Sequence, residues 1–182
     1  MAMWLLFLFL CMAVAAATNL PWKNPEYETM QNITNVIGNG YTTYLVYEGT
    51  FDEDVLIQKH VVCLKMRTTD FIAGFTVAYR KYQEQVGKRE EEMSLYLTPD
   101  RDTGYRVDNY MRVEEEEYQK EIAQMYLVYT DYSTCALLYY EGKDEYELWL
   151  YQKPNGVASN CELLLALLSD KTRNVHYTND CS

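Results

Sequence analysis

Residues 144–151 read DEYELWLY. From Tyr146 onward the side chains alternate, so Tyr146, Leu148 and Leu150 share one face of a strand while Glu147, Trp149 and Tyr151 share the other. If the chain closes into a barrel, one of those faces points inward. A carboxylate set inward beside two aromatic rings is either a costly defect or part of a ligand site, because a buried charge needs a partner. The expectation is a barrel strand with Glu147 facing the interior.

Working outward, seven more runs of β-branched and aromatic residues precede it: YTTYLVY from Tyr41, HVVCLKM from His60, AGFTVAYRKY from Ala73, MSLYLT from Met93, YRVDNYMRV from Tyr105, IAQMYLVYT from Ile122 and TCALLYY from Thr134. Charged or Gly/Asp-rich turns separate them. Eight strands at this spacing suit an up-and-down antiparallel barrel or a sandwich. Ahead of them, Asn24 reads as an N-cap, Pro25 as the first helical residue, and Tyr27, Met30, Ile33 and Ile37 fall at helical spacing before Gly38. Behind them, Ser159 and Glu162 form a capping box for a leucine-rich C-terminal helix. Helix, eight strands and helix is the order of lipocalin barrels, which enclose room for one small ligand, with the sandwich as the rival.

The first residues, MAMWLLFLFLCMAVAAA, carry no charge and end in small residues. They read as a signal peptide, residues 1–17, cleaved after Ala17 and leaving 18–182 as one secreted, extracellular domain. The net charge of -11 argues against nucleic acid or an anionic membrane surface as partner. Without Cys11 the remaining cysteines are Cys63, Cys135, Cys161 and Cys181, read as two disulfides with three possible connectivities. Asn32 in NIT is a candidate glycosylation site. No nucleophile elbow, zinc-protease motif or phosphate-cradling loop occurs, and no metal or cofactor is expected. The reading is a monomeric binder and not an enzyme.

The stretch YTDYSTCALLYYEGKDEYELWLYQKPNGVASNC, from Tyr129 to Cys161, resembles the salivary lipocalins of ticks, in particular the histamine-binding group. That group's signature runs C-D, an aliphatic residue, a spacer, E-L-W and a later cysteine. Here Cys135, Leu137, Glu147, Leu148, Trp149 and Cys161 keep the order. Ala136 stands where the signature has Asp. The resemblance implies pairing of Cys63 with Cys181 and Cys135 with Cys161. It also implies an amine pocket of Glu147, Trp149, Asp54 and, more loosely, Phe51, with a second amine site weakened or absent for want of the Asp.

Three ligand classes follow from the resemblance. The favoured one is a biogenic amine such as histamine, its ammonium group held by Glu147 and Asp54 and its ring stacked on Trp149 or Phe51. An anionic lipid, a leukotriene or fatty acid, would need a cation inside the barrel, for which Lys65, Arg80 and Arg112 are candidates. A protein-binding inhibitor of complement or coagulation would act through an exposed surface patch.

Overall fold

The computed structural model describes residues 20–181. The leader 1–17 lies outside them. Eight antiparallel strands form a closed barrel: β1 (Thr43–Gly49), β2 (Val62–Ile72), β3 (Phe75–Gln83), β4 (Glu91–Asp100), β5 (Tyr110–Glu115), β6 (Lys120–Thr130), β7 (Cys135–Tyr140) and β8 (Glu145–Leu150). Each pairs with the next and β8 returns to β1, which closes the ring; β2 covers β1 only over Thr43–Leu45, so the end of β1 at Glu48 and Gly49 keeps a short open edge. The fold is therefore the lipocalin barrel, and the sandwich is excluded.

Two apolar cores explain why some strands alternate and others do not. Along β3 buried and half-buried residues alternate, because only one of its faces looks into the barrel. Every residue of β7 is buried. Its inward side chains, Ala136, Leu138 and Tyr140, join the interior core. Its outward ones, Cys135, Leu137 and Tyr139, join a second core outside the wall with Trp22, Cys161 and Leu165. The cover over that second core includes α2 (Asn160–Leu168), which starts with the expected capping box between Ser159 and Glu162. Disulfides join Cys135 to Cys161 and Cys63 to Cys181, tying α2 to β7 and the tail to β2.

Near the N-terminus the single expected helix is split. Asn24 caps a 3-10 helix, Pro25–Met30, by accepting from the Glu26 backbone N–H at 3.0 Å. A separate α1 follows, Ile33–Ile37, closed at Gly38. The break falls at Gln31, whose buried amide donates to the carbonyls of Trp22 and Val128 at 2.8 and 2.9 Å and pins the chain to the barrel wall. The fifth strand begins at Tyr110 and not Tyr105. Residues ahead of it serve the N-terminal segment instead: Arg106 pairs with Glu28, and the Asp108 carbonyl accepts from Ile33 N at 2.7 Å. A short unexpected strand, β9 (Asn174–Val175), adds to β1 and orders the tail.

The strands fix where the two barrel ends lie. At one end Ile33, Val36 and Ile37 of α1 are buried in the interior core, and the carbonyls of Val36 and Ile37 accept from Tyr44 and Thr76 hydroxyls. At the other end the connection 50–61 between β1 and β2 places Phe51, Leu56 and Val61 in the same core. The barrel is thus stopped by a helix at one end and by a loop at the other.

Candidate functional site

Alternation along β8 turns Glu147 and Trp149 into the barrel, as expected, and the same alternation turns Arg80 inward from β3 and Tyr140 inward from β7. Asp54 arrives from the 50–61 connection. All five side chains are buried. Arg80 reaches across the interior and donates from Nη1 and Nη2 to Glu147 Oε1 and Oε2 at 2.9 and 2.8 Å. Its Nε donates to both Asp54 oxygens at 3.0 and 3.1 Å, and its Nη2 also donates to Asp54 Oδ2.

Neutral donors complete both carboxylates. The Tyr140 hydroxyl donates to Glu147 Oε2 at 2.6 Å and the Trp149 indole N–H to Oε1. Backbone N–H groups of Leu56 and Ile57 donate to Asp54 Oδ1 at 3.0 and 2.8 Å. A carboxylate has about four lone-pair positions, so each Glu147 oxygen, with two donors, is fully engaged. Burial alone would pull the Arg80 guanidinium down, but Asp54 and Glu147 outweigh it and hold it well above its ordinary value. Burial, reinforced by Glu147, pushes the Tyr140 hydroxyl well up, so it remains a donor. Two carboxylates around one guanidinium leave the cluster one net negative charge.

The 50–61 connection is a compact lid over this cluster. Asp54 N donates to the Lys59 carbonyl at 2.9 Å and Gln58 N to the Asp54 carbonyl at 2.7 Å, so the segment folds on itself. Gly49 lets it turn: a Cβ there would lie about 2.5 Å from the Phe51 ring. Phe51 stacks on His176 at 4.6 Å between centroids and meets Tyr140 edge-on. His176 is buried, its Nε2 lacks a partner among the described residues, and burial pulls its imidazole below the ordinary range. A hollow of about 680 Å³ opens between the lid and β3 to β6, floored by Leu56, Ile57, Tyr82, Met93 and Ile122 and rimmed by Glu92, Glu115, Glu116 and Glu117 with Lys59 and Lys120.

Of the four residues expected for the pocket, Glu147 and Asp54 meet at Arg80, Phe51 adjoins them through Tyr140, and Trp149 reaches Glu147 from the α1 side, where its ring packs on Tyr44. Of the three candidate interior cations, Arg80 is inside. Lys65 pairs with Glu90 on the wall and Arg112 reaches toward Asp100 and Glu114. Ala136 pairs in register with Trp149 and faces the interior, so the missing Asp would have stood inside as well. Tyr140 and His176 went unforeseen. Period-two alternation from Ala136 would have pointed to Tyr140, whereas nothing local marks His176.

The sequence matches the family model described as tick histamine binding protein over residues 22–182. The chain belongs to that family. Its family and fold are those of ligand-binding carriers rather than enzymes. No curated protein matches the sequence. Among solved structures the tick-family barrel is similar to AM182 in its serotonin complex, at TM-score 0.55 and 14% identity, covering 88% of this chain and 95% of that one. It is also similar to japanin from Rhipicephalus appendiculatus bound to cholesterol, at TM-score 0.55 and 13% identity over 76% and 93% of the two chains. LTBP1 in its LTC4 complex matches at TM-score 0.50 and 18% identity over 82% and 86%. Likeness at these identities speaks to the fold. Among the described residues no helix is long and apolar enough to cross a membrane.

Proposed function

We propose that this protein is a secreted salivary scavenger that traps one small host mediator at the lidded end of its barrel and so blunts the inflammatory response at a bite. The cluster of Arg80, Asp54 and Glu147 carries this reading. Buried ion pairs add little net stability over well-packed apolar residues, and perturbed titratable groups gather at functional sites.

Of the ligand classes weighed above, an anionic amphiphile such as a leukotriene or fatty acid has the stronger geometric support. A guanidinium stands inside the barrel, while Glu147 has no lone pair left for an ammonium group. The LTC4 complex of LTBP1 is in keeping with it. The acidic rim of the hollow favours a second reading, a biogenic amine such as histamine, since clustered carboxylates raise the local concentration of cations. That reading is in keeping with the family's description and requires the amine to take Glu147 from Arg80.

Calorimetry with arachidonic acid, a leukotriene, histamine and serotonin separates the readings. Acid binding with silent amines is the expected result. Amine binding that Glu147→Gln abolishes would move the assignment to the second reading, and silence with all four would remove ligand trapping. Secretion carries its own expectations: protein from a eukaryotic host begins at Thr18, loses mass from Asn32 on glycosidase treatment and shows no free thiol. A mature chain that keeps its leader or reacts with thiol reagents would count against it.

A further inference from the structure

Arg80 presents two edges to two carboxylates of different standing. Its Nη1/Nη2 end meets Glu147, and both residues are held in ladder-bonded strands, β3 and β8. Its Nε/Nη2 side meets Asp54, which belongs to the 50–61 lid. If the lid lifts, Asp54 leaves with it and Glu147 stays.

We infer that Asp54 is an internal stand-in for a ligand carboxylate, and that the Nε/Nη2 side of Arg80 is the subsite which an acidic ligand takes when the lid moves away. The inference rests on the reading of this chain as a ligand trap and deepens it by naming the group recognised.

Charge balance supports the exchange. With Asp54 gone, Arg80 and Glu147 form a neutral pair whose guanidinium has one unpaired edge. A ligand carboxylate restores the original cluster charge and the bidentate geometry that guanidinium prefers. An ammonium group finds only donors on that edge. Apolar contacts point the same way, because lifting the lid also withdraws Phe51 and Leu56 from the interior core, and Leu56 borders the existing hollow. An acyl chain entering behind its carboxylate would replace that apolar contact. Recognition is therefore of an acid with an apolar body, and Asp54 sets the affinity by competing for Arg80.

The competition predicts an unusual variant. When binding needs a minor open state, apparent affinity falls by the fraction of time spent open, and minor states of about 10% or less are common. Asp54→Asn keeps an oxygen for the Leu56 and Ile57 N–H groups but loses the anion. It should bind arachidonic acid at least about tenfold more tightly than wild type, whereas Arg80→Gln should lose that binding.

Hydrogen exchange on the wild type gives a readout that does not depend on a variant folding. Arachidonic acid should raise exchange in 50–61 while protecting β3 and β8. Tighter binding by Asp54→Asn together with a faster-exchanging lid supports the inference. Equal affinity in wild type and Asp54→Asn, or a lid that becomes protected, overturns it while leaving the trap intact. Binding of histamine or serotonin without arachidonic acid also overturns it and leaves the trap intact. Binding of neither class removes the inference and the trap together.

Discussion

Removing the Arg80 guanidinium would leave Asp54 and Glu147 buried without their cation, and breaking a buried pair from one side costs about 3–5 kcal/mol. Asp54→Asn leaves Arg80 and Glu147 balanced and should lose only about 1–2 kcal/mol. Urea unfolding should therefore place Arg80→Gln well below Asp54→Asn, and equal midpoints would show that the cluster does not act as a charge-balanced unit. His176 carries a pH signature. Burial lowers its folded pKa from the ordinary 6.5, so on acidification the unfolded chain takes up the proton first. Its contribution is whole above about pH 6.5 and is lost as pH falls from there toward the depressed folded value. His176→Gln should flatten the stability profile as pH falls below about 6.5, and an unchanged slope would refute the assignment. The inward turn of Glu147 was legible because period two leaves only two faces. Its partner was less so: a mid-strand arginine ordinarily reaches water, and which face of β3 looks inward is not written in AGFTVAYRKY. Tyrosines hid their roles in the same way, with Tyr44 and Tyr140 in the interior core and Tyr126, Tyr139 and Tyr146 in the outer one.

At the scale of elements, the turn between β6 and β7 sets the register of the strand that carries Tyr140. Asp131 organises it, accepting from the backbone N–H groups of Ser133 at 2.9 Å, Thr134 at 2.7 Å and Cys135 at 3.2 Å, and from the Thr134 hydroxyl. Partial burial would raise its pKa, but these donors overcome it and hold the carboxyl down at about 2. The sign follows: the carboxylate's contribution is present above its ordinary value of 3.8 and is lost as pH falls from there toward about 2. An NMR titration should find Asp131 ionised at pH 3, and a normal midpoint would dissolve this account of the turn. The disulfide between Cys135 and Cys161 then locks α2 over the outer core. Replacing both cysteines by serine should cost about 3 kcal/mol in the chain-entropy account, read as a lower urea midpoint. The elements themselves were mostly visible, since strand runs, the Ser159 and Glu162 box and the Asn24 cap are local signals. What stayed hidden was set by distant partners. Gln31 splits the N-terminal helix through carbonyls on Trp22 and Val128, and β9 exists because β1 offers it an edge.

Taken whole, the barrel has two unlike ends, and the difference limits how many ligands it can hold. The lidded end has the charged cluster, the hollow and the 50–61 cover. The α1 end is stopped by Ile33, Val36 and Ile37, all buried, and near Trp149 the wall offers Ala136 where the family signature has Asp. A second amine there would surrender its water without the carboxylate that the signature's Asp would supply, and leaving a charged group unpaired in an apolar setting costs several kcal/mol. Tyr44 and Thr76 hold the last carbonyls of the helix stop from two different strands. One ligand per chain follows. A native mass spectrum of the mature protein with excess arachidonic acid, and separately with histamine, should show a single adduct at saturation. Ala136→Asp should not create a second anchor without loss, because its carboxylate would be buried beside Trp149, and the variant should unfold at lower urea than wild type. Two adducts on the wild-type chain would mean that the α1 end opens and holds ligand without the Asp, and that the two ends are less different than their residues imply.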